Sequence, residues 1–247
     1  MKTNKSYKEA GNVLFIILIG VVLFAALSYT VSHMLRGGGN PQLIAEEKQK
    51  LYAQEIMNLG RAVREAVHGM RIAGCADTEI SFENTVVSGY EHTPAVTPKC
   101  RVYDKAGGGL TYIIPASNWL DGNFSGQALY GKIYVAANIC VPGIGQGDNG
   151  GCASDGESNE ELIMFVPFIK KQTCIQINNQ LKIENPGGNP PQESGDGWKS
   201  DLVKATGNFT DGVSLDQAGL MAGCFEGSST NAPPGGSYAF FQVLQAR

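Results

Sequence analysis

The sequence has few charged residues, few histidines and no closely spaced pair of cysteines, and each shortage excludes a class of function. Asp, Glu, Lys and Arg make up 17% of the 247 residues, and the net charge is -4. No basic stripe is present that could neutralise phosphates, so we expect no nucleic-acid partner. The three histidines, His33, His68 and His92, are far apart, and no CxxC motif occurs. We therefore predict neither a His-rich metal centre nor a zinc or thioredoxin-like redox site.

No pattern typical of an enzyme active site stands out either. Residues 126–133 nearly match a phosphate-binding P-loop, but Ile133 replaces the magnesium-binding Ser or Thr, and a strand is predicted to follow. No GxSxG elbow is present. An acidic run fails the EF-hand pattern, so a solvated loop is favoured over a calcium site; its members are Asp148, Asp155, Glu157, Glu160 and Glu161. We expect no catalytic residue, no metal and no cofactor.

The longest apolar run lies near the N-terminus. Residues 13–27 carry no polar side chain, and a weakly polar stretch extends the run to Leu35. At 1.5 Å per residue, a helix of this length reaches about 35 Å, whereas the hydrocarbon layer of a membrane is about 30 Å thick. The run therefore predicts a membrane-spanning helix.

The charges on either side of this run predict its orientation. Lys2, Lys5 and Lys8 precede it, whereas only Arg36 follows before Pro41. By the positive-inside rule, the short N-terminal segment stays in the cytoplasm and the chain after residue 36 is exported. A cleavable secretory signal is the alternative, but its best small-x-small sites, in residues 28–32, are poor versions of A-x-A.

The junction between the leader and the apolar run carries the most specific motif. In residues 8–15, KEAGNVLF, a short charged leader ends in Gly11 and the apolar helix begins at once. This junction resembles the class III signal of type IV pilins and pseudopilins. The resemblance implies that a prepilin peptidase cuts between Gly11 and Asn12 on the cytoplasmic side and leaves the helix in the mature chain. Residues 1–11 are then the leader peptide.

The same resemblance implies a role for the helix at residues 12–35. It would anchor the chain in a bacterial inner membrane and later pack against copies of itself or other pilin-like subunits, in an assembly at the cell surface. Most pilins have Glu at the fifth mature position, where this chain has Ile16; the difference implies a minor or tip-type subunit. The residues expected in the assembly helix are Val13, Phe15, Ile16, Gly20, Phe24 and Ala25.

A Gly/Pro break and a second helix follow. Residues 36–41, RGGGNP, contain three glycines, each costing about 1 kcal/mol in a helix, and a proline costing about 3 kcal/mol, so the helix must end there. From Gln42 to about Ile72, apolar residues recur every three or four positions, which predicts an amphipathic helix that stops at Gly74. The alternative interpretation is a bitopic protein in which GGGNP is only a flexible tether.

The rest of the chain, residues 75–247, is predicted to form one exported, β-rich globular domain after an amphipathic helix over 42–74. We predict a short helix after a strand within residues 167–181, and a strand with one buried face around residues 130–135. Surface loops are expected at 142–160, 185–199 and 226–237. The predicted strands are residues 79–82, 101–103, 110–114, 129–141, 162–168 and 238–244.

All six cysteines lie on the exported side, which predicts a disulfide framework. Six cysteines allow fifteen pairings, so the sequence alone does not choose among them. Proximity along the chain favours Cys75 with Cys100 and Cys140 with Cys152, which leaves Cys174 with Cys224. In many pilins, a last bridge of this kind closes an exposed C-terminal loop.

The sequence therefore predicts an α+β fold. A long N-terminal hydrophobic helix is continued, after the Gly/Pro break, by an amphipathic helix packed on an antiparallel, disulfide-bonded domain. Two functions remain open. One is a pilin-like structural subunit of a filament, whose partners are other subunits, the prepilin peptidase and the inner membrane. The other is a single-pass, membrane-tethered binding or adhesion module that never assembles.

Overall fold

The computed structural model describes residues 11–36, 41–145, 160–193, 204–209, 213–228 and 234–247. The chain divides into two compact units, Met1–Glu47 and Lys48–Arg247. Helix α1 spans Gly11–Arg36, and helix α2 spans Pro41–Ile72 and enters the second unit at Lys48. Residues 37–40 of the predicted break lie outside the described residues. All remaining elements belong to the second unit.

Helix α2 is amphipathic, as predicted. Pro41 occupies its first position, where the missing N–H and the fixed φ of proline are tolerated. Its buried side recurs at intervals of three and four residues. Gly74 adopts a φ of 92°, and the Cys75 N–H donates to the Met70 carbonyl at 3.0 Å, which ends the helix as expected. The buried residues of α2 are Ala53, Ile56, Met57, Gly60, Val63, Val67 and Met70.

A five-stranded sheet forms the centre of the second unit, in the order β3-β1-β2-β5-β4. Neighbouring strands are antiparallel, except that the two-residue β3 runs parallel to β1. The sheet is therefore mainly antiparallel, as predicted. The strands are β1 (Tyr134–Cys140), β2 (Glu161–Ile169), β3 (Val213–Ser214), β4 (Ala222–Glu226) and β5 (Tyr238–Gln245).

Both faces of the sheet are buried, and successive strand residues point to opposite faces. Phe240 of β5 belongs to a core shared with α2 and with helix α3, which spans Lys171–Leu181. Its neighbour Phe241 belongs to a second core with Phe165 and Phe225. Leu215 completes this second core, and Leu129, Ile144, Leu220 and Met221 pack against it.

The prediction of a strand with one buried face was therefore wrong. Residues 130–133 precede the strand, and β1 is buried on both sides from Tyr134 to Ile139. An alternating pattern of apolar and polar residues was expected because sheets often face water on one side. Here loop residues supply the second covering layer, which periodicity within a strand cannot reveal.

Gly60 allows α2 to approach the sheet closely. A Cβ at this position would lie 3.0 Å from the Phe240 ring and 3.3 Å from the Gln242 Cβ. Any larger residue would push the helix or the ring outward.

The structure confirms some predicted strands and corrects others. β2 and β5 match 162–168 and 238–244, and α3 is the predicted short helix after a strand. Residues 79–82 instead hold the end of a 3-10 helix and a single bridge from Ser81 to Arg101, and 110–114 form no strand. These segments place single apolar side chains such as Ile80 and Phe82 in the core, so they are apolar without belonging to a sheet. β4 was not predicted.

Candidate functional site

Helix α1 presents apolar side chains all around its axis. None of the window Phe15–Ser32 is buried, and the Phe24 side chain is 74% exposed. By length and composition, this is the one helix in the described part of the chain that could cross a membrane. No charged residue lies between Asn12 and Leu35. A helix that is apolar on every side is stable only when something apolar surrounds it.

The residues of the predicted processing site lie in this helix. Gly11 and Asn12 are the first residues of α1 that the structure describes, and residues 1–10 of the leader lie outside the described residues. Cleavage between Gly11 and Asn12 would therefore leave a chain that is helical from its first residues. Val13, which is also predicted to belong to the assembly helix, lies in α1, but its side chain is not among those that the structure describes.

The other residues of the predicted assembly helix are exposed on α1. Ile16, Gly20 and Phe24 follow one another at intervals of four, so they form one line along the helix. A Cβ added at Gly20 would have no atom within 4 Å, so the glycine is a notch between the two larger side chains. Phe15 and Ala25 are also exposed. Notches of this kind allow another helix to approach closely within a membrane.

Two disulfides fasten helices to the rest of the second unit. Cys75, just after α2, is bonded to Cys100, with Cα atoms 5.8 Å apart. Cys174 of α3 is bonded to Cys224 of β4, with Cα atoms 5.4 Å apart. The first is a pair that proximity along the chain favours, and the second is the pair that the predicted pairing leaves over. Cys140 is also disulfide-bonded, and its predicted partner, Cys152, lies outside the described residues.

Asn178 reinforces the link between α3 and β4, which is an edge strand of the sheet. Its side-chain amide donates to the Cys224 carbonyl and accepts from the Cys224 N–H, both at 2.9 Å. Asn178 is fully buried. The side chain thus replaces the hydrogen bonds that another strand would make and protects part of the edge from strand addition. Sequence reasoning missed this residue, because an Asn within a helix gives no distinctive pattern.

A groove of about 530 Å³ lies between α2 and the segment containing residues 103–119. Apolar side chains form most of its walls. The Trp119 indole N–H donates to the Glu55 carboxylate across the groove at 2.8 Å. The lining residues are Glu55, Asn58, Leu59, Ala62, Val63, Tyr103, Leu110, Thr111, Ile113, Trp119 and Ile133.

A polar depression of about 380 Å³ adjoins the groove and shares Tyr103 and Thr111 with it. Arg101 forms an ion pair with Glu83 there, at 3.3 Å. Three acidic residues therefore face one basic residue. The charged residues that line the depression are Glu83, Glu91, Asp104 and Arg101.

Burial perturbs the acidity of several groups in the second unit, including Glu161 and His92. Burial raises the pKa of Glu161 to about 7, although its carboxylate accepts the Val141 N–H at 2.8 Å. Burial also lowers the pKa of His92. Within the described ranges, no group of three or more His, Cys, Asp or Glu residues is placed to hold a metal ion.

The acidic run at the end of the predicted loop is only partly described. Asp148, Asp155 and Glu157 lie outside the described residues. Glu160 and Glu161 are buried, so the prediction of a solvated loop was wrong for these two. Glu161 opens β2, and the strand carries it into the interior.

Comparisons of the chain with protein-family models, with curated proteins and with solved structures find no match. Fold and site together define an α+β protein with an exposed apolar N-terminal helix and a disulfide-bonded domain that carries an apolar groove. Sequence reasoning missed the groove, because Glu55 and Trp119 are 64 positions apart and only the fold brings them together.

Proposed function

We propose that this protein is a pilin-like structural subunit, of the minor pilin or pseudopilin type. In this proposal, α1 anchors the chain in the bacterial inner membrane, the second unit is exported, and the same helix later packs into a filament. The observation that carries the proposal is that α1 exposes apolar side chains on every side of its window Phe15–Ser32, directly after the pilin-like motif at Gly11 and Asn12.

The apolar surface of α1 requires a covering. Fully burying one large aliphatic or aromatic side chain contributes about 1.5 to 3 kcal/mol, and α1 exposes many such side chains to its surroundings. A lipid bilayer supplies this covering before assembly, and neighbouring copies of the helix would supply it in a filament. The line of Ile16, Gly20 and Phe24 is the side of α1 that we assign to helix contacts.

Removal of the leader would prepare the chain for this transfer. Lys2, Lys5 and Lys8 hold the N-terminus on the cytoplasmic side, since moving a charged side chain into the bilayer centre costs about 2.5 kcal/mol or more. After cleavage, one asparagine and one amine remain to leave the cytoplasmic face. Extraction of the subunit from the bilayer then becomes less costly.

Ile16 supports a minor role within such a filament. Pilins commonly place a Glu at the equivalent position, and that acid is thought to pair with the N-terminal amine of a neighbour. Ile16 supplies no such charge. We therefore propose a low-copy or tip position rather than the bulk of a fibre.

The groove on the second unit favours a second candidate, a membrane-tethered binding module that does not assemble. The two candidates share the anchor and differ in processing. A tethered module needs no cleavage at Gly11 and no contact between copies of α1.

Leader processing distinguishes these candidates. The intact mass of protein extracted from membranes should correspond to a chain that begins at Asn12. Gly11→Val should leave the precursor uncleaved and membrane-bound, because the peptidase requires a small residue before the cut. Gly20→Val is the matched control, since it makes the same change away from the junction and should be cleaved normally. A wild-type chain that retains the leader, or normal maturation of Gly11→Val, contradicts the proposal.

A further inference from the structure

The groove between α2 and residues 103–119 has the properties of a ligand site. Its volume of about 530 Å³ lies within the range of roughly 300 to 1,000 Å³ that small-molecule sites occupy. Leu59 and Val63 of α2 form one wall, and Leu110 and Ile113 form part of the opposite one. Ile113 remains 49% exposed at the rim. Such sites typically combine apolar walls with a few polar groups that orient the ligand.

Glu55 supplies the only charge among the residues that line this groove. Its Oε2 accepts the Trp119 indole N–H at 2.8 Å, which fixes the position of the carboxylate. Its Oε1 has no hydrogen bond to any residue within the described ranges. A carboxylate that is held in place and retains an unused oxygen at an apolar groove is suited to accept a charged donor.

The adjoining polar depression also favours a cationic ligand. Glu83, Glu91 and Asp104 outnumber Arg101, whose guanidinium is already paired with Glu83. The excess negative charge attracts cations toward the groove and the depression, and it repels anions. Tyr103, shared by the two, connects the apolar half with the acidic half.

We propose that this groove binds a small organic amine with an apolar body. The ammonium group donates to Glu55 Oε1, and the aromatic or alkyl body packs between Leu59, Ile113 and the Trp119 ring. The acidic depression beyond Tyr103 accommodates a second cationic group on longer ligands. This site is independent of whether the chain assembles into a filament.

Trp119 provides a direct reporter for this binding. The chain contains two tryptophans, Trp119 and Trp198, so Trp198→Phe leaves the groove residue as the only indole. The full chain in nanodiscs of zwitterionic lipid is titrated with 4-phenylbutylamine while the Trp119 emission is recorded. Matched titrations use 4-phenylbutanol, which is neutral, and 4-phenylbutyrate, which is anionic. We expect a saturable change with the amine, at least tenfold weaker binding of the alcohol, and the weakest binding of the acid.

Glu55→Gln tests the role of the carboxylate. The amide oxygen can still accept the Trp119 N–H, so the groove keeps its shape while it loses the charge. We expect about tenfold weaker binding of the amine and little change for the alcohol. Glu65→Gln is the matched control, because Glu65 is an exposed acid of the same helix that does not line the groove. It should bind the amine like the parent protein.

Ile113→Ser provides a second test that does not depend on Glu55. Loss of this apolar rim residue should weaken binding of both the amine and the alcohol severalfold. The proposal is overturned if the alcohol binds as tightly as the amine, if the acid binds most tightly, or if Glu55→Gln leaves amine binding unchanged. Should Glu55→Gln fail to fold, the ranking of the three ligands and the effect of Ile113→Ser decide the outcome.

Discussion

Helices α1 and α2 follow one another in the chain and are similar in length, at 26 and 32 residues. They differ in that α1 leaves its apolar side chains exposed, whereas α2 buries many of its own. Phe24 of α1 is 74% exposed, whereas Ile56 of α2 is fully buried. α2 interrupts its apolar positions with charges and buries a single side against the sheet. α1 carries no charge between Asn12 and Leu35 and buries none of its central window.

This contrast separates two uses of apolar surface. In α2, burial occurs within the second unit and stabilises the fold. In α1, the structure offers no covering for residues 15–32, so the surroundings must supply it. Changes that weaken the second unit should therefore leave membrane association intact, and changes in α1 should do the reverse.

Removal of the Cys174–Cys224 disulfide should destabilise the second unit most. The bridge links positions separated by 50 residues, and loop entropy predicts a loss of about 4 kcal/mol of unfolding free energy in Cys174→Ala/Cys224→Ala. Denaturant unfolding followed by circular dichroism measures this loss. The double variant should still sediment with membranes. Release of the variant into the soluble fraction would show that anchoring depends on the domain and would contradict the separation.

A charge in α1 should reduce membrane association and leave the stability of the second unit unchanged. Leu23→Arg places an arginine in the centre of the apolar window, at a cost of about 3 kcal/mol for membrane insertion. We expect a large loss of membrane-associated protein after carbonate extraction. Leu51→Arg is the matched control on α2, because Leu51 is 51% exposed and Leu23 is 59% exposed. Equal losses in the two variants would mean that α1 is not a membrane helix.

Glu161 should make the stability of the second unit depend on pH. The fold raises its pKa from the ordinary value of 4.5 to about 7, so the folded state favours the protonated carboxyl. This contribution is fully present below pH 4.5 and is lost as the pH rises through 7. Glu161→Gln should therefore be more stable than the parent at pH 8 by about 2 kcal/mol, an advantage that shrinks toward pH 5.

Unfolding free energies of both proteins from pH 5 to pH 8 measure this difference. The buried His92 has a lowered pKa and contributes a change of the opposite sign in both proteins, so it cancels in the comparison. Glu65→Gln, an exposed acid, should follow the parent curve. A constant difference between Glu161→Gln and the parent across this range would contradict the assignment.

The buried and exposed sides of α2 should respond differently when a glycine is replaced by alanine. Gly60→Ala and Gly69→Ala both gain about 1 kcal/mol of helix propensity. The new Cβ at position 60 would lie 3.0 Å from the Phe240 ring, whereas at position 69 it meets nothing within 4 Å. Gly69→Ala should therefore be more stable than Gly60→Ala by at least about 1 kcal/mol, measured by chemical unfolding. Equal stabilities would mean that α2 does not pack as closely as described.

The elements that the sequence predicts are those whose pattern is local. The uninterrupted apolar run gives α1, the spacing of three and four gives α2, and dense apolar runs give β2 and β5. Gly74 marks the end of α2, because its φ of 92° suits a residue without a side chain.

The elements that the sequence does not predict depend on distant partners. Residues 110–114 look like a strand, yet Tyr112 uses its hydroxyl to accept the Ile133 N–H, and the segment joins no ladder. β3 has only two residues and exists through its pairing with β1. The groove likewise requires Glu55 and Trp119 to meet. Asn178 can hydrogen-bond the Cys224 backbone only because α3 lies beside β4.

In the proposed function, α1 covers its apolar surface after assembly with the corresponding helices of other pilin-like subunits. Phe24 is the suitable position for a test, because a photoreactive benzoyl-phenylalanine replaces it conservatively on the exposed line of Ile16, Gly20 and Phe24. Irradiation of cells that assemble the protein should give covalent adducts that join α1 helices of pilin-like subunits, and the same probe in the Gly11→Val background should give lipid adducts only. Lipid adducts alone in both backgrounds would contradict the account.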